Sequence, residues 1–257
     1  MYLDKILAQH REIARVDKRD LDALVIKSKS APTPRGFAAR LRNDSVENLA
    51  VIAEIKRRSP SRGLLNSDLD PASISQNYEQ GGASCLSVLT DEEFFGGSVT
   101  DLQQARSAVN LPVLRKDFTV SMRDICDARI MGADCVLLIA SALTPRELAD
   151  FYIFATDLGL DALVEVHDEN ELTVAIECGA SLIGVNQRDL HTFEVDHQRA
   201  VRMGAMMPAN VIRVAESGVK TRDDARSLRD AGYDAVLVGE SLVTATDITK
   251  SVRELRV

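Results

Sequence analysis

Tryptophan is missing from this sequence, and aromatic residues make up only 4% of it. Few flat rings are therefore present on which nucleic-acid bases could stack. A formal net charge of -8 argues further against nucleic acid, and no such partner is expected. No uninterrupted apolar run approaches the length that spans a bilayer, and the first residues, Met1-Tyr2-Leu3-Asp4-Lys5, form no apolar signal core. The expectation is a cytoplasmic protein with no membrane partner. Cysteine is sparse and scattered at Cys85, Cys126, Cys135 and Cys178. With no C-x-x-C pair and no neighbouring His, these fit reduced thiols.

Histidine is scarce too. His10, His191 and His197 lie in charged segments and are expected to be exposed. His167 follows Glu165 by two residues, a spacing that matches neither a metal pair nor a catalytic triad. Ser59, Ser61 and Ser217 have no sequence-evident His/Asp pair, which argues against a serine hydrolase, and no carboxylate/His cluster points to a metal.

What is present is an ordinary globular balance over 257 residues, 45% hydrophobic and 27% charged, ample for a core. The organising stretch runs from Val51 to Gly63. It starts as an apolar strand and ends in a basic loop punctuated by Ser, Pro and Gly. Side chains alternate along a strand, so Ile52, Glu54 and Lys56 share one face. That puts a carboxylate and an ammonium where an interior is expected, which is costly unless they meet each other or a ligand. A solvated edge strand or a structural ion pair is the plain alternative. The loop favours a ligand, because Arg58, Ser59, Ser61, Arg62 and Gly63 supply what holds an anion.

Residues Met1 to Asp20 show helical spacing (Leu3, Ile6, Leu7, Ile13, Val16), the polar stretch Lys27–Pro34 breaks the chain, and Phe37–Leu41 reads as a short helix. From Val51 onward strands and helices alternate. Strands are expected at Val51–Lys56, Cys85–Leu89, Pro112–Lys116, Asp134–Ala140, Asp161–Val166, Ser181–Asn186, Val211–Ala215 and Asp234–Gly239. A repeated glycine, as in Gly132-Ala133-Asp134 and Gly232-Tyr233-Asp234, suits a left-handed helix end before the next strand. The alternation predicts an α/β fold, a (β/α)8 TIM barrel with an N-terminal helical extension, in a single domain over 1–257. The extension covers 1–48 and the barrel 49–257. A doubly wound sheet is the competitor, but no G-x-G-x-x-G turn follows Lys56.

In such a barrel the strand C-termini face one mouth. They carry Glu54 and Lys56, Lys116, Glu165, Asn186 and Arg188, Glu216 and Ser217, and Gly239 and Ser241. Any one of these alone is more often a solvated strand end. Their coincidence counts, and Leu114/Lys116 and Leu163/Glu165 repeat the inward parity. Two lysines and two or three glutamates in one mouth are acid/base candidates. Gly218, Gly239 and Ser241 sit where barrels cradle phosphate, after the last two strands.

Assembled, these residues resemble the indole-3-glycerol-phosphate synthase family. The resemblance rests on Glu54-Ile55-Lys56-Arg57-Arg58-Ser59-Pro60-Ser61, Lys116-Asp117-Phe118, Leu163-Val164-Glu165-Val166-His167, Asn186-Gln187-Arg188-Asp189-Leu190, Glu216-Ser217-Gly218 and Gly239-Glu240-Ser241-Leu242. The departures, Gln187 and Glu240, touch no catalytic position. The resemblance implies decarboxylative ring closure and dehydration of 1-(2-carboxyphenylamino)-1-deoxyribulose 5-phosphate, a small phosphorylated substrate, with no cofactor. By resemblance, Lys116 is the acid at ring closure and Glu165 a general base or stabiliser. Lys56 binds substrate and is the acid at dehydration, with Glu54 as its partner. Asn186 and Glu216 orient hydroxyls, supported by Arg188. Ser59, Ser61, Ser217, Gly218, Gly239 and Ser241 handle anionic groups, while Phe95, Phe118, Leu137 and Ile139 pack the aryl ring. A monomer or weak homo-oligomer is expected. The rivals are another phosphate-binding barrel, such as a sugar-phosphate isomerase, and a non-catalytic binding barrel. The first needs no second lysine; the second needs no pair of acid/base couples.

Overall fold

Apolar runs buried on both faces form parallel strands, and here such strands close on themselves. The computed structural model describes residues 2–59, 62–189 and 194–257. Its barrel strands are β1 (Ala50–Ile55), β2 (Cys85–Leu89), β3 (Val113–Lys116), β4 (Cys135–Ile139), β5 (Asp161–Val166), β6 (Leu182–Asn186), β7 (Ile212–Glu216) and β8 (Ala235–Val238). Neighbours in sequence pair in parallel, and β8 pairs β1 to close the ring. The expected strands are all present, trimmed or shifted by a residue at several ends. After β1, the two-residue strands Arg58–Ser59 and Gly63–Leu64 add a small antiparallel hairpin at the mouth.

Three helices precede the barrel: α1 (Tyr2–Val16), α2 (Leu21–Lys29) and α3 (Phe37–Asp44). Sequence spacing carries α1 to Asp20, but the structure ends it at Val16, because Asp20 opens the next helix by accepting from the Ala23 amide at 2.8 Å. Helix α2 was not expected. Its buried side is only Leu24 and Ser28, too little apolar periodicity to read. Helix α3 closes the N-terminal end of the barrel, with Phe37 and Leu41 fully buried against a cluster that includes Ala50, Leu182 and Ile212.

The helices between strands are α4 (Pro71–Gly81), α5 (Glu92–Phe95), α6 (Val99–Ala108), α7 (Met122–Met131), α8 (Pro145–Asp157), α9 (Glu169–Glu177), α10 (His197–Gly204) and α11 (Arg222–Asp230). Then α12 (Glu240–Val243) and α13 (Ile248–Leu255) follow β8. Their ends use local chemistry. Thr144 and Glu147 cap α8 reciprocally with Pro145 in the first turn, which satisfies amides that have no partner inside the helix. Gly132 ends α7 at φ 99°, a conformation that a Cβ would strain.

The alternating faces of the strands sort the core. Ile52, Leu114, Leu137, Ile139, Leu163 and Leu237 point into the barrel. Ala53, Val88, Val136, Val164 and Val236 face the helices. No helix among the described residues is long and apolar enough to cross a membrane.

Candidate active site

The inward row that carries Ile52, Leu114 and Leu163 ends, at the mouth, in charge. A cavity of about 520 Å³ opens there. Its floor holds Lys116 on β3, with Nζ donating to Glu165 Oε2 on β5 at 2.5 Å and to Glu216 Oε2 on β7 at 3.3 Å. A second pair stands beside it, Lys56 Nζ to Glu54 Oε1 at 2.6 Å, and Ser87 Oγ donates to the other Glu54 oxygen at 3.4 Å. Strand register sets this up: Glu54 lies opposite Ser87, and Asn186 opposite Glu216. Gly184 lies opposite Glu165, and a Cβ there would collide with the Glu216 carboxylate. Glycine at that position is what lets the third carboxylate lie flat against β6.

The two carboxylates that share Lys116 are not equivalent. Glu165 Oε1 also accepts from Asn186 Nδ2 at 3.0 Å and faces His167 Nε2 at 3.3 Å. Burial alone would raise the Glu165 carboxyl, but Lys116 and His167 outweigh it and hold the group well below the usual carboxylate range. Glu216 Oε1 is buried with no hydrogen-bond partner among the described residues. Burial first, and then the charge on Glu165, push Glu216 up to about 8 despite Lys116. Lys116 is displaced upward: burial opposes its charge, and Glu165, Glu216 and Glu54 more than restore it. The floor is a set of acids and bases driven apart in proton affinity by their surroundings.

Around this floor lie the remaining sequence candidates. Asn186 Oδ1 accepts from Ser217 Oγ at 2.8 Å and from the Arg188 amide at 3.0 Å. Ser217 has a positive φ of 66°, alone in this among the described non-glycine residues. Its carbonyl accepts from Gln187 Nε2 at 2.7 Å, so the strained backbone, which costs on the order of 1–3 kcal/mol, is held from both sides. Gly218 follows, also left-handed, and a Cβ on it would meet Val195 Cγ1 at 2.6 Å. Gly239 lies against the Glu54 carboxylate, where a Cβ would collide with Oε1. Ser241 Oγ donates to the Val219 carbonyl at 3.2 Å. Ser59 lines the cavity with a buried hydroxyl that has no hydrogen-bond partner among the described residues. Phe95 and Phe118 form one wall, ring centroids 6.4 Å apart, and Leu137 and Ile139 line the interior. Sixteen of the seventeen residues given roles by resemblance thus border one cavity. Ser61 lies outside the described residues, as does His191.

Other lining residues were not singled out by sequence. Leu3 and Ile6 of α1 reach the cavity; their helical spacing was visible, their destination was not. Of the loop residues that the sequence offered to an anion, Arg62 also lines the cavity and pairs with Glu240 at 3.1 Å across the rim; Lys220 and Thr221, which it did not offer, lie just beyond Gly218.

His10 corrects an expectation. It is half-buried, not exposed, with Nε2 at 2.9 Å from Asp91 Oδ2 and its ring against Phe118 at 5.3 Å. Burial works against its charge, but Asp91, Asp117 and Asp124 raise its proton affinity. His10, Asp91 and Asp117 bring potential metal ligands within 4.8 Å of one another. The carboxylates are already committed, since Asp91 accepts the Phe94 amide at 2.6 Å and Asp117 accepts from Arg115 at 2.9 Å. His10 therefore clasps α1 to the mouth.

Known proteins give an independent view. A family model described as "Indole-3-glycerol phosphate synthase" matches residues 3–255. A protein of that name from Chloroherpeton thalassium is 48% identical over 247 residues, 95% of each chain. Another from Chlorobium phaeovibrioides is 47% identical over 249 residues, 96% of each. Among solved structures, thiamine phosphate pyrophosphorylase from Pyrococcus furiosus superposes with a TM-score of 0.62 at 18% identity, over 84% of this chain and 95% of that one. N-acetylmannosamine-6-phosphate 2-epimerase from Clostridium perfringens gives 0.60 at 14%, over 77% and 90%. These two distant likenesses speak to the barrel alone.

Proposed function

The chain belongs to the indole-3-glycerol phosphate synthase family, and from that premise we propose that the Lys116 and Lys56 pairs carry out its decarboxylative ring closure. The observation that carries this reading is a buried ammonium, Lys116, shared by two carboxylates of opposite displacement, with a second Lys/Glu pair in the same cavity.

The substrate, 1-(2-carboxyphenylamino)-1-deoxyribulose 5-phosphate, joins an aryl carboxylate to a ketone. Lys116 donates a proton to the ketone oxygen as the aryl carbon bearing the carboxylate attacks the carbonyl carbon. The new C–C bond closes the five-membered ring. The bond to CO2 then breaks, and its electron pair restores the aromatic ring. Lys56 protonates the resulting hydroxyl, which leaves as water, and the adjacent methylene loses a proton to Glu165. Two protons are given and one is collected, so each turnover takes up one proton from solvent. Glu54 holds Lys56 in place. Asn186 and Glu216 orient the sugar hydroxyls, with Arg188 beside them. Phe95, Phe118 and Leu137 form the aryl pocket. Ser59, Gly218, Gly239 and Ser241 bind the phosphate with Ser61, while Ser217 fixes the turn before Gly218. Each lysine lies in a mostly buried site, where a charge acts more strongly than in water.

The test is direct. Purified protein incubated with this substrate in weakly buffered solution is followed by indole fluorescence and by a pH indicator. In the first moments, before the released CO2 hydrates to bicarbonate and gives a proton back, one proton consumed per fluorescent product is the expected result. No fluorescence from folded protein would overturn the reading.

A further inference from the structure

Two carboxylates compete for Lys116, and the reaction needs one base in a fixed place. The floor itself holds three carboxylates, Glu54, Glu165 and Glu216, against two ammonium groups. Something must decide which carboxylate stays charged, because two like charges on one site cannot both be accommodated cheaply.

His167 supplies the asymmetry. It stands two residues beyond Glu165 at the start of the β5–α9 loop. Its Nε2 is buried and makes no aligned hydrogen bond; its ion-pair neighbour is Glu165 Oε1 at 3.3 Å. On its other side, Nδ1 lies 3.1 Å from Glu171 Oε2, and its own backbone amide donates to the same oxygen at 2.8 Å. Exposure rises along this line, from 2% for Glu165 through 12% for His167 to 20% for Glu171. Among the described residues no imidazole pairs with Glu216. We propose that His167, held by Glu171, is the positioning residue that makes Glu165 the charged base and leaves Glu216 as the protonated partner.

The surroundings support this. Glu165 faces His167 from its own strand and Glu171 from α9, while Lys116 and Glu216 lie behind Glu165. Asp168 is turned away to cap α9, accepting the Glu171 amide at 2.8 Å. The turn Ala140–Ala142 beside α9 brings no charge. Burial would lower the proton affinity of His167, but Glu165 and Glu171 raise it to about 9. At neutral pH the ring is therefore an imidazolium, the third cation that the floor otherwise lacks. Glu171 offsets that charge from the rim, so the loop keeps the cation without leaving it unpaired.

This inference rests on the proposed function, and wild type assayed alongside separates the two: a wild type that fails to form product sinks the function, not His167. His167→Gln removes the charge and keeps comparable size. Its kcat is expected to fall about tenfold with little change in KM, below the roughly hundredfold scale of direct acid/base groups. The acid limb of kcat/KM is expected to move up by about one pH unit, as for a carboxylate that loses a neighbouring cation. Glu171→Gln, which leaves the barrel floor untouched, shifts the same limb in the same direction by less. In a Glu216→Gln background the competitor is gone, so His167→Gln should move the limb less than it does alone. An acid limb that stays in place in both His167→Gln and Glu171→Gln overturns the proposal, even if kcat falls. So does a shift of equal size with and without Glu216.

Discussion

The two ends of the barrel bury the same kinds of charged residue and use them differently. At the end closed by α3, Asp134 is fully buried and pairs with Arg106. It also accepts the Arg35 amide and the Val113 amide, each at 2.7 Å. Asp234 accepts the Arg213 amide at 2.8 Å, and Asp161 the Ala38 amide at 2.9 Å. Each carboxylate there is tied to main chain, which cannot move without unfolding a strand. At the mouth, Lys56, Lys116, Glu54, Glu165 and Glu216 hold one another, and Glu216 Oε1 and Ser59 Oγ have no hydrogen-bond partner among the described residues. Buried polar atoms left in this condition are costly, and natural proteins keep few. One end uses charge to fix the strands; the other holds charge in reserve for a ligand.

Substitution at the mouth gives the largest effect and the sharpest contrast. Lys116→Ala is expected to lower turnover by at least about a hundredfold, the scale of an acid/base group, while the protein still folds. Glu165 keeps the His167 imidazole as a neighbour and Glu216 stays protonated, so the loss of the ammonium leaves no carboxylate charge wholly uncompensated. Product fluorescence and a melting curve on the same preparation read both quantities. Near-normal turnover would remove the acid role.

The opposite end gives the converse. Asp134→Ala strands the Arg106 guanidinium and two backbone amides, and is expected to cost about 3 kcal/mol or more in a urea titration. Turnover per folded molecule stays unchanged. A variant that kept its stability and lost its activity would abolish the division between the ends.

That division was only half legible in the sequence. The mouth could be read, because alternation on a strand is strict: Leu114/Lys116 and Leu163/Glu165 had to share a face, and barrel geometry then gathers strand ends that are far apart in sequence. The tied end was visible only as turn chemistry. The glycines of Gly132-Ala133-Asp134 and Gly232-Tyr233-Asp234 stood out as helix ends. Their aspartates did not, since an Asp at a strand start looks like any solvated rim residue until the preceding strand offers its amide. His167 was passed over for a related reason. Its spacing to Glu165 fits no metal or triad pattern, and its i, i+4 relation to Glu171 reads as an ordinary helix-start contact. Helix α2 lacked a stripe to read, and the burial of His10 depends on where α1 lands.

A smaller effect tests whether the mouth holds charge in reserve through pH. Glu216 ionises at about 8 in the folded chain against 4.5 for an ordinary Glu. The folded state therefore binds the extra proton between those values, and stability falls as pH rises through that window. The contribution is whole below 4.5 and gone above about 8. Melting temperature followed across the window should decline in wild type more than in Glu216→Gln. Parallel declines in the two proteins would mean that Glu216 is ionised throughout, and the inequality between it and Glu165 would go with it.

The smallest effect compares how each end holds the N-terminal helices. Helix α3 hangs on amides donated to carboxylates, Arg35 to Asp134 and Ala38 to Asp161, with no imidazole in the contact. Helix α1 is clasped at the mouth through His10 to Asp91. The His10 affinity for its proton is raised from 6.5 by that contact and by Asp117, so the clasp is complete below pH 6.5 and weakens as pH rises through the raised value. A half-buried pair of this kind is worth up to about 1 kcal/mol. Amide exchange in α1, corrected for its intrinsic pH dependence, should accelerate about threefold across that range, while α3 stays constant. His10→Gln should exchange at the faster rate at both ends of the range. Because Leu3 and Ile6 line the cavity, the same loosening opens one wall of the site. An α1 that exchanged independently of pH in wild type would show that its apolar contacts alone hold it, leaving His10 no part in keeping that wall in place.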